Sequence, residues 1–493
     1  MKIHELKNSL QKDYDLVAFV DLADLRQQHR AVYDLFRSIR QDVFNNNQRI
    51  IFYSQHKPED KFLQHIINAA ELLDIGNFFI LVVCPYELDT PLQSLVINIE
   101  KTKDFQQPKY VVSDSLCPVP FSMQNTNQSN NVSPCCKFSG STGNLENRSL
   151  KEEFDNENMQ KIREQMLQGE YPSECRKCWH DESTGVTSYR QYMLKKHKKE
   201  LHFNWLDKIK VRSFVWSPTR LCNFKCRICR SEDSTSIAAE EIKLTDDQNR
   251  KQELKDFLHQ EKSKDNSLRI IQNLTELDNL EYLHILGGEP LMWTELDTCL
   301  DTLIGSGQSK NIIIESNTNG SQWSESIIKK MITDFKGVEF AISLDDVEER
   351  FEITRGSKWQ LVENNLKKFS ELQSGKFKCV LSVTINLQNV LYLESIIDLA
   401  DRFNFDIVWM YLESPSFLCI DNATSATIEL IKQKYTNHNN DELRKIAHRM
   451  SVSSPSNGKE FITYADTLDT RRKQNFSETH KEIYEAMSIN THI

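Results

Sequence analysis

The sequence predicts an α/β protein whose largest part is an incomplete (β/α)6 barrel. Between about residues 205 and 420, short apolar stretches alternate in regular order with longer amphipathic ones, which is typical of parallel strands joined by helices. The six predicted strands cover residues 211–216, 282–286, 311–316, 338–343, 378–385 and 406–411. A β/α barrel binds its ligands at the edge where the strands end, so we expect functional residues directly after these segments.

Three further segments flank the predicted barrel. Residues 1–108 contain apolar stretches at 16–20, 49–53 and 78–83, separated by amphipathic ones at about 27–44 and 59–73. This pattern predicts a small α/β domain with a parallel sheet, whose role the sequence does not indicate. Residues 109–204 are polar and carry five cysteines, and Asn130-Asn131 predicts a hairpin turn there. Residues 421–493 predict a helical extension that covers the open edge of the barrel.

The composition indicates a cytoplasmic protein that binds neither membranes nor nucleic acids. Of its 493 residues, 71 are acidic and 61 are basic, and the net charge of -10 disfavours binding along a phosphate backbone. No apolar run approaches the roughly 20 residues that span a bilayer, and the first residues lack the apolar core of a signal peptide. In a reducing compartment, the twelve cysteines are expected to bind metal or to be buried.

Cys222, Cys226 and Cys229 are the most informative residues of the chain. They follow the first predicted barrel strand in the sequence LCNFKCRICR. Each iron of a cubane four-iron, four-sulfur cluster needs an outside ligand, usually a cysteine thiolate, so three cysteines leave one iron open to a substrate or cofactor. Structural zinc is the alternative, but it normally takes four protein ligands and this loop offers no fourth.

A second motif lies about 60 residues later, where Gly287-Gly288-Glu289-Pro290 follows the second predicted strand. Together the two motifs resemble the radical S-adenosylmethionine (radical SAM) superfamily, whose signature is Cys-x3-Cys-x2-Cys followed by a GGEP-like segment. The resemblance implies that the cysteines hold a four-iron, four-sulfur cluster whose open iron binds SAM, and that the GGEP segment meets the SAM amino group. It also implies that SAM is cleaved to a 5'-deoxyadenosyl radical. Ile228 stands where the family usually has an aromatic residue.

The resemblance assigns further SAM contacts to the ends of the later strands. Asn319 lies in a Thr-Asn-Gly segment after the third strand, Ser343 ends the fourth, and Arg355 follows it. Ser343 is expected at the SAM ribose and Arg355 at the SAM carboxylate. Asn386 follows the fifth strand and Trp409 lies in the sixth, where the family packs the adenine. Each of these residues could equally be an ordinary turn or strand-end residue.

The polar segment before the barrel carries its cysteines in a second pattern. It ends in Cys-x2-Cys-Trp, and its helix near 159–168 and this ending resemble the SPASM and twitch domains, which bind auxiliary iron–sulfur clusters in radical SAM enzymes. The resemblance implies an auxiliary four-iron, four-sulfur cluster with Cys117, Cys135, Cys175 and Cys178 as ligands. Cys136 is an equal alternative to Cys135, and a zinc knuckle is the alternative for the whole segment. Such domains usually follow the catalytic barrel, whereas this segment precedes it.

The leading functional hypothesis is a radical SAM enzyme that abstracts hydrogen from a peptide or protein side chain. SAM and an electron donor such as a flavodoxin or ferredoxin are the expected partners. A sugar or nucleoside substrate is the nearest alternative. A non-catalytic metal-binding scaffold is the alternative from another class, which the GGEP segment disfavours because a scaffold needs no SAM pocket.

Overall fold

The structure is a computed structural model of the 493-residue chain. It describes three strands near the N-terminus and residues 115–489, apart from 128, 147, 184–186, 197–208 and 262–264. The chain divides into two compact units, the first formed by residues 1–125 and 131–212 and the second by residues 126–130 and 213–493. No helix among the described residues is long and apolar enough to cross a membrane.

The N-terminal strands form a small parallel sheet. β1 (Asp15–Asp21) pairs with β2 (Gln48–Tyr53), and β2 pairs with β3 (Ile80–Val83). The three apolar stretches therefore form the parallel strands that their composition predicts. The helices predicted at 27–44 and 59–73 lie outside the described residues.

The cysteine-rich part of the first unit is made of short elements. Strand β5 is hydrogen-bonded to β4 on one side and to β6 on the other, and Asn130, which precedes β5, has the left-handed φ of 60° that a tight turn requires. Helix α3 begins at the side-chain cap of Asn156 and ends at Gly169 (φ 84°). The elements are α1 (Val119–Ser122), β4 (Met123–Thr126), β5 (Asn131–Ser133), β6 (Gly143–Asn144), α2 (Leu150–Phe154), α3 (Glu157–Gln168), α4 (Arg176–Ser183) and α5 (Tyr189–Lys196).

Six parallel strands in consecutive order form the barrel sheet of the second unit. They are β7 (Ser213–Trp216), β8 (Tyr282–Ile285), β9 (Ile313–Thr318), β10 (Gly337–Ser343), β11 (Phe377–Ile385) and β12 (Asp406–Tyr411). All six strands match predicted ones, which confirms the partial (β/α)6 architecture. The third begins two residues later than expected, because Gln308–Asn311 forms a 3-10 turn after Gly307 (φ 79°).

Helices connect the strands and cover one face of the sheet. On that face Ile314, Phe340 and Leu381 are fully buried, whereas Asn317, Ala341 and Val380, which share one row of the register on the other face, are half-buried. The connecting helices are α6 (Thr235–Leu244), α7 (Gln248–Gln260), α8 (Asp265–Leu274), α9 (Leu296–Gly305), α10 (Glu325–Asp334), α11 (Glu348–Arg355), α12 (Trp359–Leu372) and α13 (Leu393–Phe403).

The C-terminal extension is helical and contacts the last strands. Tyr435 donates to the Val390 carbonyl oxygen at 2.7 Å, and Tyr411 at the end of β12 donates to Glu442 at 2.8 Å. Val408 and Met410 of β12 nevertheless stay 47% and 42% exposed, so the extension covers the edge strand only in part. Its helices are α14 (Ser425–Tyr435), α15 (Asp441–Ser451), α16 (Lys459–Arg472), α17 (Phe476–Thr479) and α18 (Lys481–Ser488).

Candidate functional site

The loops after β7 and β8 are joined by backbone hydrogen bonds at the carboxyl edge of the sheet. The Gly288 amide donates to the Thr219 carbonyl oxygen at 3.0 Å, and the Glu289 amide donates to that of Leu221 at 2.7 Å. Leu221 immediately precedes Cys222. The first cysteine and the GGEP segment are therefore neighbours in space.

Both glycines of the GGEP segment lie against the cysteine loop. A Cβ on Gly288 would stand 2.5 Å from the carbonyl oxygens of Arg220 and Leu221, and one on Gly287 (φ +133°) would stand 2.2 Å from that of Thr219. The resemblance to radical SAM enzymes predicts that glycine here lets the backbone approach a ligand. The approach that requires glycine in the structure is the one between these two protein segments.

The three cysteines of the loop share a partly buried environment. Cys226 is 5% exposed and its thiol faces the Arg355 carbonyl oxygen at 3.7 Å, while Cys222 and Cys229 are half-buried. A hydrogen bond from Cys229, helped by the nearby Arg355 cation, lowers the pKa of Cys226 despite its burial. Among the described residues, no three His, Cys, Asp or Glu side chains converge as a single metal ion would require.

The backbone between Cys226 and Cys229 is held from two sides. On one side the Arg227 amide donates to the Thr354 carbonyl oxygen at 2.8 Å, at the end of α11. On the other side the Arg227 guanidinium, 1% exposed, pairs with Asp469 of α16 and donates to Gln474 at 2.9 Å. The sequence gives no sign of this contact, because Asp469 lies 242 residues from Arg227.

Glu289 is fully buried and joins the ends of β8 and β9. Its carboxylate accepts hydrogen bonds from the Thr318 hydroxyl at 2.8 Å, the Asn319 amide at 2.6 Å and the Leu291 amide at 3.1 Å. Burial raises the pKa of Glu289. Pro290 begins the short 3-10 turn that follows. The Glu289 side chain therefore bonds to groups of the protein at the ends of β8 and β9. The GGEP segment contacts the cysteine loop through its backbone.

The side chain of Asn319 extends this network to the first cysteine. Its Nδ2 donates to Asn223 Oδ1 at 3.0 Å and lies 3.9 Å from the Cys222 sulfur. Asn223 in turn donates to the Ser321 hydroxyl at 2.9 Å. Side chains therefore link the loops after β7, β8 and β9 to one another.

Arg355 places a buried positive charge beside the cysteines. Its Nη1 donates to Asp345 at 2.7 Å, and its Nε is buried with no hydrogen-bond partner among the described residues. Burial favours the neutral form of Arg355, but the nearby Cys226, Asp345 and Cys229 outweigh it and raise the pKa. Ser343 ends β10 two residues before Asp345 and is half-buried.

Trp409 is not brought into this group, whereas Asn386 is linked to it through Asn389, which accepts from the Asn386 amide and donates to the Asp345 carbonyl oxygen, each at 2.9 Å. Asn386 is 1% exposed and donates to the Thr384 carbonyl oxygen at 2.8 Å within the turn after β11. Trp409 is opposite Val383 in the register, so its side chain lies on the opposite face of the sheet from Ser343.

The second group of cysteines lines a small cavity in the first unit. Cys117, Cys135, Cys175 and Cys178 all line it, together with apolar groups that include Trp179. Cys136 is exposed and is not among the lining residues. Burial raises the pKa of Cys117 and of Cys175 to about 12, so these thiols are costly to ionise without a cation. Four thiols around a largely apolar cavity suit an iron–sulfur cluster, which takes cysteine thiolates as ligands.

The second unit is thus a β/α barrel with three thiols at its carboxyl edge, and the first unit holds a four-thiol cavity, which gives two candidate sulfur-ligand sites. Residues 216–400 match the family model described as "Radical SAM superfamily", and residues 117–179 match the SPASM model, described as "Iron-sulfur cluster-binding domain". Residues 216–400 are therefore a radical SAM domain and residues 117–179 a SPASM domain, the pair of domains found in the SPASM-containing subgroup of radical SAM enzymes. The cofactors of these two domains are SAM with its four-iron, four-sulfur cluster and an auxiliary iron–sulfur cluster, as the sequence predicts.

Solved structures with a detectable likeness are distant. Streptococcus suis SuiB is 14% identical, with a TM-score of 0.30 over 61% of this chain and 61% of SuiB. SuiB bound to S-adenosylmethionine is 14% identical, with a TM-score of 0.30 over 70% of this chain and 72% of that one. The anSMEcpe complex with AdoMet and the Kp18Cys peptide is 14% identical, with a TM-score of 0.31 over 46% and 58%. The chain thus spans about three fifths of the first SuiB structure. Comparison with curated protein sequences found no match.

Proposed function

We propose that this chain cleaves SAM reductively at a four-iron, four-sulfur cluster held by Cys222, Cys226 and Cys229. The observation that supports this most directly is the hydrogen bonding of the GGEP backbone to the loop that carries the three thiols. When bound, the cluster would supply the electron for reductive cleavage of SAM, which is the source of the 5'-deoxyadenosyl radical chemistry of this superfamily.

The residues around the three thiols have distinct proposed roles. Arg355 binds the SAM carboxylate through its buried and unpartnered Nε, since a charge-assisted hydrogen bond satisfies that group. Asp345 orients the guanidinium from the other side. The backbone of Gly287 and Gly288 meets the SAM amino group.

Asn319 has a second role in this proposal. Its contacts with Asn223 and the Cys222 sulfur orient the first ligand. Ser343 remains the proposed ribose contact. Asn386 and Trp409 remain candidates for the adenine site, and Trp409 would contribute through its backbone, since its side chain lies on the opposite face of the sheet.

An auxiliary cluster is proposed for the cavity in the first unit, with Cys117, Cys135, Cys175 and Cys178 as ligands. Cys135 is preferred to Cys136 because Cys135 lines the cavity and Cys136 is exposed. Four ligands leave no open iron, so this cluster is suited to electron transfer or substrate positioning rather than to SAM cleavage.

The proposed substrate is a peptide or protein side chain, as the SPASM-containing subgroup suggests, and the proposed electron donor is a flavodoxin or ferredoxin. A sugar or nucleoside stays the alternative. Anaerobic incubation of the protein with SAM, a reductant and separate peptide and small-molecule fractions of a cell extract distinguishes the two. Stimulation of 5'-deoxyadenosine release by the small-molecule fraction alone contradicts a peptide substrate.

Iron content and SAM cleavage test the two cluster sites. Anaerobically reconstituted protein should hold about eight irons per chain, about four for each cluster, and should release 5'-deoxyadenosine from SAM under reduction. The triple change of Cys222, Cys226 and Cys229 to Ala should remove about four irons and abolish this release. Cys136→Ala is the matched control and should keep both. Release that persists in the triple variant contradicts the proposal, and zinc in place of iron supports a structural scaffold.

A further inference from the structure

One charged residue on α5, Arg190, lines the four-thiol cavity and is not explained by cysteine ligation. Its side chain is 10% exposed, and the cavity lining includes one other basic residue, Lys137. A buried guanidinium needs partners for its five N–H groups, and the positions of those partners show which segments it connects.

Arg190 connects the two segments that carry three of the four cysteines. Its Nη1 donates to the Leu116 carbonyl oxygen at 2.8 Å, one residue before Cys117. Its guanidinium carbon lies 5.3 Å from the centre of the Trp179 ring, one residue after Cys178. The Arg190 backbone amide also donates a hydrogen bond to the Cys178 sulfur. Arg190 thus connects α5 to the segments that carry Cys117 and Cys178.

Two further donors of Arg190 are held by an acidic residue of α4. Nε and Nη2 bind the two carboxylate oxygens of Glu182 at 2.9 and 2.6 Å, in the forked geometry that favours arginine over lysine. The Ser188 hydroxyl donates to the same carboxylate at 2.5 Å. Arg190 lines the cavity and Glu182 does not, so the group in the cavity meets the positive end of the pair.

We propose that Arg190 is a positioning residue for the auxiliary iron–sulfur cluster, which orients the Cys117 and Cys178 segments and raises the reduction potential of the cluster. This inference rests on the proposed ligation of that cluster by the cavity cysteines. A reduced cluster carries one more negative charge than an oxidised one, so a fixed cation beside it stabilises the reduced state. Groups beyond the direct ligands tune a metal site in this way.

The opposite charges of Arg190 and Glu182 allow a test of this inference. Their removal should shift the potential of the cluster in opposite directions, which a purely structural role of Arg190 does not predict. Arg190→Gln removes the positive charge and should shift the midpoint potential of the auxiliary cluster to more negative values. Glu182→Gln removes the negative charge and should shift it to more positive values. Arg190→Lys keeps the charge but not the fork, so its potential should lie between those of wild type and Arg190→Gln. Arg148→Gln removes a cation that is 58% exposed and does not line the cavity, and should leave the potential unchanged.

Redox titration followed by electron paramagnetic resonance measures these shifts in the full chain. The titration is made in the Cys222, Cys226 and Cys229 to Ala background, so that the auxiliary cluster gives the signal. Shifts of Arg190→Gln and Glu182→Gln in the same direction, or no shift in either, overturn the inference. If Arg190→Gln assembles no cluster, the positive shift of Glu182→Gln decides, and its absence overturns the inference.

Iron analysis separates this outcome from failure of the proposed ligation. Cys175→Ala should lower the iron content by about four per chain if the cavity holds a cluster. An unchanged iron content contradicts the ligation itself. A loss of iron in Cys175→Ala, combined with unchanged potentials in the Arg190 and Glu182 variants, contradicts only the role of Arg190.

Discussion

At the scale of single residues, the site depends on glycines that let the backbone of the GGEP segment approach the backbone of the cysteine loop. Gly288 is the clearest case, because its missing side chain leaves room for the carbonyl oxygens of Arg220 and Leu221. Its amide also donates to the carbonyl oxygen of Thr219. A change at Gly288 therefore acts on the cysteine loop before it acts on any ligand.

Gly288→Ala should weaken both cluster retention and SAM binding. The added methyl group would stand 2.5 Å from two carbonyl oxygens, and overpacking of this kind costs about 1–3 kcal/mol. We expect a loss of about tenfold to a hundredfold in SAM affinity, measured by calorimetry on anaerobic protein, together with a lower iron content. Gly375→Ala is the control, since a Cβ there meets nothing within 4 Å. If Gly288→Ala binds SAM with the affinity of the wild type, the added methyl group does not disturb the cysteine loop.

The sequence predicts a functional residue where that residue belongs to a short motif. The three barrel cysteines and the GGEP glycines follow strands that apolar composition reveals, and the structure brings the two motifs together. Arg190 and Glu182 were missed because neither belongs to a cysteine motif. The contact of Arg190 with Leu116 spans 74 residues, and no local pattern reports a pairing over that distance.

At the scale of elements, α16 is the helix whose position matters most for the barrel cysteines. Asp469 of α16 pairs with the buried Arg227, the Tyr464 hydroxyl donates to the Arg227 carbonyl oxygen, and Arg472 donates to that of Lys225 at 2.7 Å. Three side chains of one helix thus hold the segment around Cys226. The helix is part of the structural support of the site.

Asp469→Asn should destabilise the protein strongly. It leaves the Arg227 guanidinium, 1% exposed, without its charged partner, and breaking a buried pair in this way costs about 3–5 kcal/mol. Thermal unfolding of the iron-loaded protein should begin at a lower temperature, with iron lost from the barrel site first. Glu460→Gln, at an exposed position of the same helix, should change the unfolding free energy by less than about 0.5 kcal/mol. Equal stability of the two variants would show that the pair is not needed.

The bounds of strands were predicted well where the strand is apolar throughout, and less well where a polar turn determines the residue at which the strand begins. The sixth strand was placed at its observed bounds, whereas the third was placed two residues early, because the 3-10 turn at Gln308–Asn311 gives no apolar signal. The expected covering of β12 is only partial, since contacts between segments far apart in sequence determine which of its side chains are buried.

At the scale of the whole molecule, the two units should respond differently to loss of iron. The cysteine-rich part of the first unit consists of short elements around a thiol-lined cavity, so its folding should depend on metal. The second unit has a six-stranded sheet with a large apolar core and should stay folded without metal.

Chelation of iron should therefore make the first unit susceptible to proteolysis. Treatment of the protein with a chelator and a low concentration of protease should produce cuts within residues 115–196, while a fragment containing residues 213–489 persists. Cys175→Ala should show the same cuts without chelator, and Cys136→Ala should resist them like wild type. Equal resistance of loaded and chelated protein would mean that the segment folds without metal.

The side chains of Asn223, Glu289 and Asn319 have a consequence for the motions of the site. They join three loops that are far apart in the sequence, and each loop supplies a partner that another needs. No one loop can open without leaving buried polar groups of its neighbours unsatisfied. The three loops should therefore fluctuate as one cooperative unit, and full exposure of the half-buried Cys222 requires that they open together.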